Sequence, residues 1–338
     1  MSETTEPSLV ARRERAAGTL LMNRPKTLNA LDLEMIRAFQ AAIDAWKGDA
    51  GVRLVILEGA GGRAFCAGGD VRRIRELAIA GDTGSVEAFF AEEYAVNHGI
   101  ATFGKPWVSL IDGVCMGGGI GVSAHGKPVV VTEHALLAMP ETAIALFPDV
   151  GTSFILPRLP GAIGNWLALT GVRLKGADAV HAGLASHYVP RARLSALRAA
   201  LTEGDIEVFA AFAETPPPAT FAEHRPAIDR CFGQSTLPAI LVALSAEGTD
   251  WAAEQIAILR RMSPTSLCVS LELLQRGRAL SLDECLAAEL ALTRGVIHRH
   301  PDFCEGVRAV LVDKGNPPAC WAPPSIEAVD MRAVQALF

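Results

Sequence analysis

Glu141 and Asp149 stand eight residues apart in a mostly apolar segment, Met139-Pro-Glu-Thr-Ala-Ile-Ala-Leu-Phe-Pro-Asp-Val-Gly151. A carboxylate held among apolar side chains is costly to ionise and tends towards a raised pKa, which suits acid/base or nucleophilic work. Upstream, Cys66-Ala-Gly-Gly-Asp70 and Met116-Gly-Gly-Gly-Ile120 each follow a strand-like run. Backbone without a Cβ can approach a ligand closely. Two N–H groups aimed at a carbonyl oxygen stabilise the oxyanion or enolate through which thioester chemistry passes. Gly69 and Gly118 are the candidate donors, so the parts suggest acyl chemistry: carboxylates beside an oxyanion hole.

Each part also has a plainer reading. The glycines would equally serve tight turns and close packing. Glu141 fits a helix N-terminal acid, and Asp149 fits an N-cap for a helix beginning near Val150. Glu92 and Glu93, in Phe89-Phe-Ala-Glu-Glu-Tyr94, read as a solvated helix face. The eight histidines have no metal-ligand spacing, so no metal site is expected. Cys66 has no paired base in sequence and reads as a small buried residue. Gly59-Ala-Gly-Gly-Arg-Ala64 matches a dinucleotide fingerprint, but Phe65-Cys-Ala-Gly-Gly69 follows where the phosphate-binding helix should run on.

The elements that must position these residues alternate in the first half. Ala17 to Met22 is a short strand; Leu31, Met35, Ile36, Phe39, Ile43 and Trp46 then share one face of a helix ending near Lys47-Gly48. Further strands are expected at Val52 to Leu57, Pro106 to Ile111, Val114 to Met116 and Val129 to Val131. Helices are expected from near Asp70 and over Val86 to Phe103. The order hints at a repeated strand, strand and helix. From about Arg191 the strand signal vanishes, and Ser263-Pro264 marks a helix start. The expected layout is an α/β part over 8–190 and an all-helical region over 191–338.

With 338 residues, half of them hydrophobic, the chain can fill a large core. A net charge of -6 without a long basic run argues against nucleic acid or an anionic membrane as partner. Seven scattered cysteines fit a reducing compartment. The acidic start, Met1 to Pro7, lacks an apolar stretch, and no segment is long and apolar enough to span a bilayer. The expectation is a cytoplasmic protein.

Four motifs in order, Asn23-Arg-Pro-Lys-Thr-Leu-Asn-Ala30, Ala64-Phe-Cys-Ala-Gly-Gly-Asp70, Asp112-Gly-Val-Cys-Met-Gly-Gly-Gly119 and Met139-Pro-Glu141, resemble the enoyl-CoA hydratase/isomerase (crotonase) superfamily. Glu92-Glu-Tyr94, Ser123-Ala-His-Gly126, Phe147-Pro-Asp-Val-Gly151, Met262-Ser-Pro-Thr-Ser266 and the run from Asp302 to Lys314 resemble its 3-hydroxyisobutyryl-CoA hydrolase branch. The resemblance covers about Gly18 to Trp321 and implies a spiral of ββα units followed by the helical region. It maps Gly69 and Gly118 onto the oxyanion donors and Glu141 onto the second glutamate of the hydratases. Gly121 falls where hydratases carry their first glutamate, without which syn hydration of a double bond is not expected. The Glu141 and Asp149 pair is the hydrolase pattern, while Thr152 and Ser153 stand where the branch often has glycine.

Glu93 maps onto a substrate-contacting glutamate that would read a 3-hydroxyl. Gly118, Lys26 and Ala67 complete the implied substrate contacts, and Lys26 with Arg72 and Arg73 would meet coenzyme A phosphates. The implied partner is an acyl-CoA. Coenzyme A belongs to the substrate, so no separate cofactor is expected. Homo-oligomers are implied too, though the helical C-terminal region could replace the superfamily's trimer packing. Rival readings are a hydratase or isomerase of altered specificity, a dinucleotide-dependent oxidoreductase resting on Gly59 to Ala64, and a non-catalytic acyl-CoA binder.

Overall fold

The strands form where β-branched and aliphatic residues run together: β1 (Leu9–Glu14), β2 (Ala17–Met22), β3 (Leu54–Gly59), β4 (Ala64–Cys66), β5 (Trp107–Ile111), β6 (Val114–Met116), β7 (Val129–Val131), β8 (Leu136–Ala138), β9 (Leu174–Lys175) and β10 (His187–Tyr188). This computed structural model describes residues 7–298 and 300–338, so the acidic start, up to Glu6, lies outside the described residues. One sheet has the order β1-β2-β3-β5-β7-β10 and the other β4-β6-β8-β9. β1 and β2 form an antiparallel hairpin, whereas β2, β3, β5, β7 and β10 run parallel. From β3 to β8, the first strand of each consecutive pair joins the six-stranded sheet and the second joins the four-stranded one. That alternation is the repeat hinted at by the sequence.

β1 has no counterpart among the expected strands, because Arg12 and Arg13 on this exposed edge strand break the apolar pattern. β4, β8, β9 and β10 also have no counterpart, since two or three residues are too few for periodicity to register, whereas β6 and β7 fall on expected residues.

Packing divides the described chain into two units. The first runs to Gly69 and includes Glu92–Leu137 and Arg173–Ala219; the second comprises Asp70–Ala91, Ala138–Val172 and Thr220–Phe338. The division expected at residue 190 follows element type, since after β10 the elements are helical apart from one bridge between Tyr188 and Glu214. Packing follows a different line. The helix Arg191–Leu201 buries Leu197 and Leu201 in the core of the first unit, against Ala17, Leu54, Ile56, Val108, Leu110 and Val130.

In that unit β3 is buried from Leu54 to Leu57 on both faces, as a central parallel strand must be. The helix Leu33–Lys47 starts where the Asp32 carboxylate accepts the Met35 N–H at 2.8 Å. It buries Met35, Ile36, Phe39, Ala42 and Ile43, each large aliphatic or aromatic side chain contributing roughly 1.5–3 kcal/mol. In the second unit the helix Pro264–Gly277 begins at the expected Ser263-Pro264 step, with the Ser263 hydroxyl accepting the Ser266 N–H at 3.3 Å. The helix Ile163–Thr170 is buried along its length, and its Trp166 indole N–H donates to Gln255 Oε1 at 2.9 Å.

Candidate active site

In the first unit, β4 ends at Cys66 and the chain turns through Ala67-Gly68-Gly69. The Ala67 N–H donates to Leu28 O at 3.0 Å and the Leu31 N–H to Gly68 O at 2.9 Å, which fixes this loop beside Leu31. Gly68 has φ +102°, a conformation that favours glycine. β6 ends at Met116, and Gly117, at φ +48°, opens the short helix Gly118–Ala124. A Cβ on Gly118 would lie 2.4 Å from Glu93 Oε1, 2.9 Å from Leu31 Cδ1 and 3.3 Å from the Gly69 nitrogen. The Gly69 N–H, the Gly118 backbone and the Glu93 carboxylate therefore share one small space. The Gly118 N–H lies in a first helical turn, where no intrahelical acceptor exists.

Glu92 and Glu93 separate on the helix Thr83–Ala101, whose successive residues point about 100° apart. Glu92 meets the guanidinium of Arg37 at 2.7 and 2.8 Å on an exposed face. Glu93 is 2% exposed. The solvated-face reading thus holds for Glu92 and fails for Glu93. Cys66 is fully buried; burial pushes its thiol up to about 12, with the nearby Glu93 charge adding to the effect. A thiol so held is no nucleophile at neutral pH. Ala67 is half-buried, and Lys26 is exposed on the turn Pro25–Thr27.

In the second unit, Glu141 opens the 3-10 turn Glu141–Ile144 directly after Pro140 and is 6% exposed. Its carbonyl accepts the Leu146 N–H at 3.0 Å, and the Ser263 N–H donates to Thr142 O at 3.0 Å. Asp149 is 4% exposed. It does not cap a helix: the next one, Thr152–Ile155, starts later, with Gly151 at its N-cap and no side-chain bond there. The Asp149 carbonyl instead accepts the Thr152 N–H at 2.9 Å and the Thr152 hydroxyl at 2.8 Å. Val150, at φ +55°, and Gly151, at φ +78°, follow it in the left-handed region.

A third acid, Glu289, supports this turn from the helix Leu282–His298 and is absent from the candidates that the sequence suggests. Its fully buried carboxyl accepts the Gly151 N–H at 2.7 Å, the Ser153 N–H at 3.1 Å and the Ser153 hydroxyl. Burial pushes this carboxyl up to about 8 and the Asp149 charge adds, while the Ser153 and Gly151 hydrogen bonds oppose them. A signal does exist in the sequence: Glu289 falls at helical spacing among Cys285, Leu286, Leu292 and Val296, the one acid in a buried stripe.

The dinucleotide fingerprint fails because the residues after Gly59 to Arg63 form β4, not a helix. Arg72 donates to the Leu311 carbonyl and Arg73 pairs with Glu76 at 3.0 Å, both on exposed surface. Among the described residues no cluster of His, Cys, Asp or Glu could hold a metal, and no helix is long and apolar enough to cross a membrane.

Gly69, Gly118 and Glu141 each come two or three residues after the second strand of a consecutive pair, β4, β6 and β8. The model of the enoyl-CoA hydratase/isomerase family matches residues 17–338. The chain belongs to this family. It is 43% identical to the mitochondrial 3-hydroxyisobutyryl-CoA hydrolase of Rattus norvegicus, covering 100% of this chain and 90% of the relative. Against the human protein of the same name it is 41% identical, covering 97% of this chain and 88% of that one. Among solved structures, a protein named carnitinyl-CoA dehydratase from Mycobacterium thermoresistibile superposes with a TM-score of 0.94 at 38% identity, covering 98% of this chain and 96% of that one. An enoyl-CoA hydratase from Rhodobacter sphaeroides 2.4.1 superposes at 0.92 with 40% identity and the same coverage. The fold is the crotonase fold, and the helical C-terminal region belongs to it.

Proposed function

We propose that this chain is an acyl-CoA thioester hydrolase that cleaves 3-hydroxyisobutyryl-CoA to 3-hydroxyisobutyrate and coenzyme A, a step of valine breakdown. Relatives across nearly the whole chain carry that hydrolase name. The observation that carries the choice over hydration is Gly121, a buried glycine without a carboxylate where the hydratases are expected to place their first glutamate. Syn addition of water needs both acids; thioester cleavage does not.

In this reading the N–H groups of Gly69 and Gly118 receive the thioester oxygen, and Glu93 accepts a hydrogen bond from the 3-hydroxyl. Glu141 has two routes. In the first it attacks the carbonyl carbon, the C–S bond breaks, the coenzyme A thiolate leaves and takes a proton, and water hydrolyses the mixed anhydride. In the second it takes a proton from a water that attacks the carbonyl carbon directly, the C–S bond breaks, and the coenzyme A thiolate leaves and takes up that proton. Asp149 orients the attacking group or handles the proton. Ala67 and Lys26 contact the coenzyme A portion, which is part of the substrate, and no separate cofactor takes part.

Thiol release from 3-hydroxyisobutyryl-CoA tests the reading. It should far exceed the loss of crotonyl-CoA conjugation, and comparable hydration would overturn the hydrolase assignment. Turnover in heavy-oxygen water probes the routes: label in the Glu141 peptide supports an anhydride hydrolysed at the Glu141 carbonyl, a label that direct attack by water cannot give. We also propose a homo-oligomer in the cytoplasm. The seven free thiols suit a reducing compartment, while the relatives named above are mitochondrial. Light scattering and fractionation test those two points.

A further inference from the structure

The turn that carries Asp149 is conformationally expensive. Val150 is β-branched and sits at φ +55°, where such residues are rare, and Gly151 continues the left-handed course at φ +78°. A strained turn persists only where its surroundings over-determine it. Here Thr152 ties the Asp149 carbonyl from one side, and Glu289 takes the Gly151 and Ser153 N–H groups from the other. A second helix adds a steric stop: a Cβ on Gly277 would lie 2.1 Å from Ser153 O, so the chain after the turn is packed directly on that glycine.

We propose that Glu289 is a positioning residue: by holding the Gly151 and Ser153 N–H groups it keeps the Asp149-Val150-Gly151 turn in its left-handed form and so aims the Asp149 carboxylate. The proposal rests on the function proposed above, in which Asp149 acts in thioester cleavage. Glu289 lies 140 residues from Asp149 in sequence and in the same packed unit. Its geometry explains why a fully buried acid sits on an otherwise apolar helix face. A glutamine has the same shape but one oxygen fewer; its NH2 group would face an N–H donor, and part of the clamp is lost.

The test is a set of double variants read by thiol release from 3-hydroxyisobutyryl-CoA. Glu289→Gln, with its fold checked by circular dichroism, should lower kcat by on the order of 10²-fold with little change in KM, the cost of a misplaced catalytic group. In the Asp149→Asn background it should lower kcat no further, because the residue it aims is already disabled. Val150→Gly should restore part of the loss, since glycine holds the positive φ without a clamp. Equal losses in both backgrounds, wild-type kcat in a folded Glu289→Gln, or no rescue by Val150→Gly would overturn the proposal. If Glu289→Gln does not fold, Ser153→Ala, which removes one donor to the carboxyl, replaces it in the same scheme. Its loss must also vanish in the Asp149→Asn background, or the proposal fails. Wild-type turnover of Asp149→Asn alone would instead overturn the catalytic role of Asp149, so the two failures are distinguishable.

Discussion

The glycine-lined cluster of the first unit and the carboxylate-bearing segment of the second solve opposite problems. Around Gly69 and Gly118 the proposed chemistry depends on atoms that are missing. No side chain can stand at Gly118 without meeting Glu93 and Leu31, and the proposed donors are backbone groups placed by short loops after β4 and β6. Around Glu141 and Asp149 it depends on side chains that the fold must force into position. Their support, from Ser263, Thr152 and Glu289, comes from hydrogen bonds that are partly local and partly reach across more than a hundred residues. A backbone-built site should fail when atoms are added. A side-chain-built site should fail when charge or a distant partner is removed.

The sharpest break in the carboxylate region is Glu141→Gln or Asp149→Asn, each expected to lower turnover by roughly 10²–10⁴-fold, the range for general acid/base groups. Asp149→Asn keeps the side chain's size and should retain the fold, as circular dichroism would show. On the glycine side, Gly118→Val should cost about 10²–10³-fold in turnover by displacing an oxyanion donor. Near-normal turnover in a folded variant would remove that loop from the mechanism. Glu93→Ala should erase preference rather than rate: the ratio of 3-hydroxyisobutyryl-CoA to isobutyryl-CoA cleavage should fall about 10- to 100-fold, the worth of a hydrogen bond to a charged group. Equal losses on both substrates would make Glu93 structural.

A smaller effect follows from Glu289. Its folded carboxyl is pushed up to about 8 from an ordinary 4.5, chiefly by burial. Across that window the folded state holds a proton that the unfolded state has released, so this group's contribution to stability falls as pH rises from 4.5 to about 8. The dependence of Tm on pH should therefore be flatter in Glu289→Gln than in the parent. The smallest expected effect is none at all. Alkylation at neutral pH should modify exposed Cys320 and spare buried Cys66, leaving turnover intact. Loss of activity on modification of Cys66 would bring that thiol into the mechanism.

Much of the glycine side is legible in the sequence. Its loops are bounded by apolar strands, and β2, β6 and β7 fall on the expected residues; in the other unit Ser263 caps its helix as expected. Glu93 is not legible from spacing, because on its helix it differs from Glu92 only by which way it points, and only the family resemblance singles it out. One side chain meets Arg37 and the other is buried. Asp149 misleads in another way: an acid just before a helix resembles a cap, and only the left-handed residues after it move the helix start on to Thr152.

Sequence alone determined the local terms: which stretches alternate apolar and polar, where glycine relieves the backbone, which caps begin helices, and which motifs stand in family order. These depend on neighbours a few positions apart, and spacing records them directly. The tertiary structure decided which of two adjacent glutamates is buried, which acid caps nothing, and that Glu289 holds the turn beyond Asp149. Those outcomes depend on desolvation and on partners brought from far along the chain, and burial is a property of the packed molecule that no single segment carries.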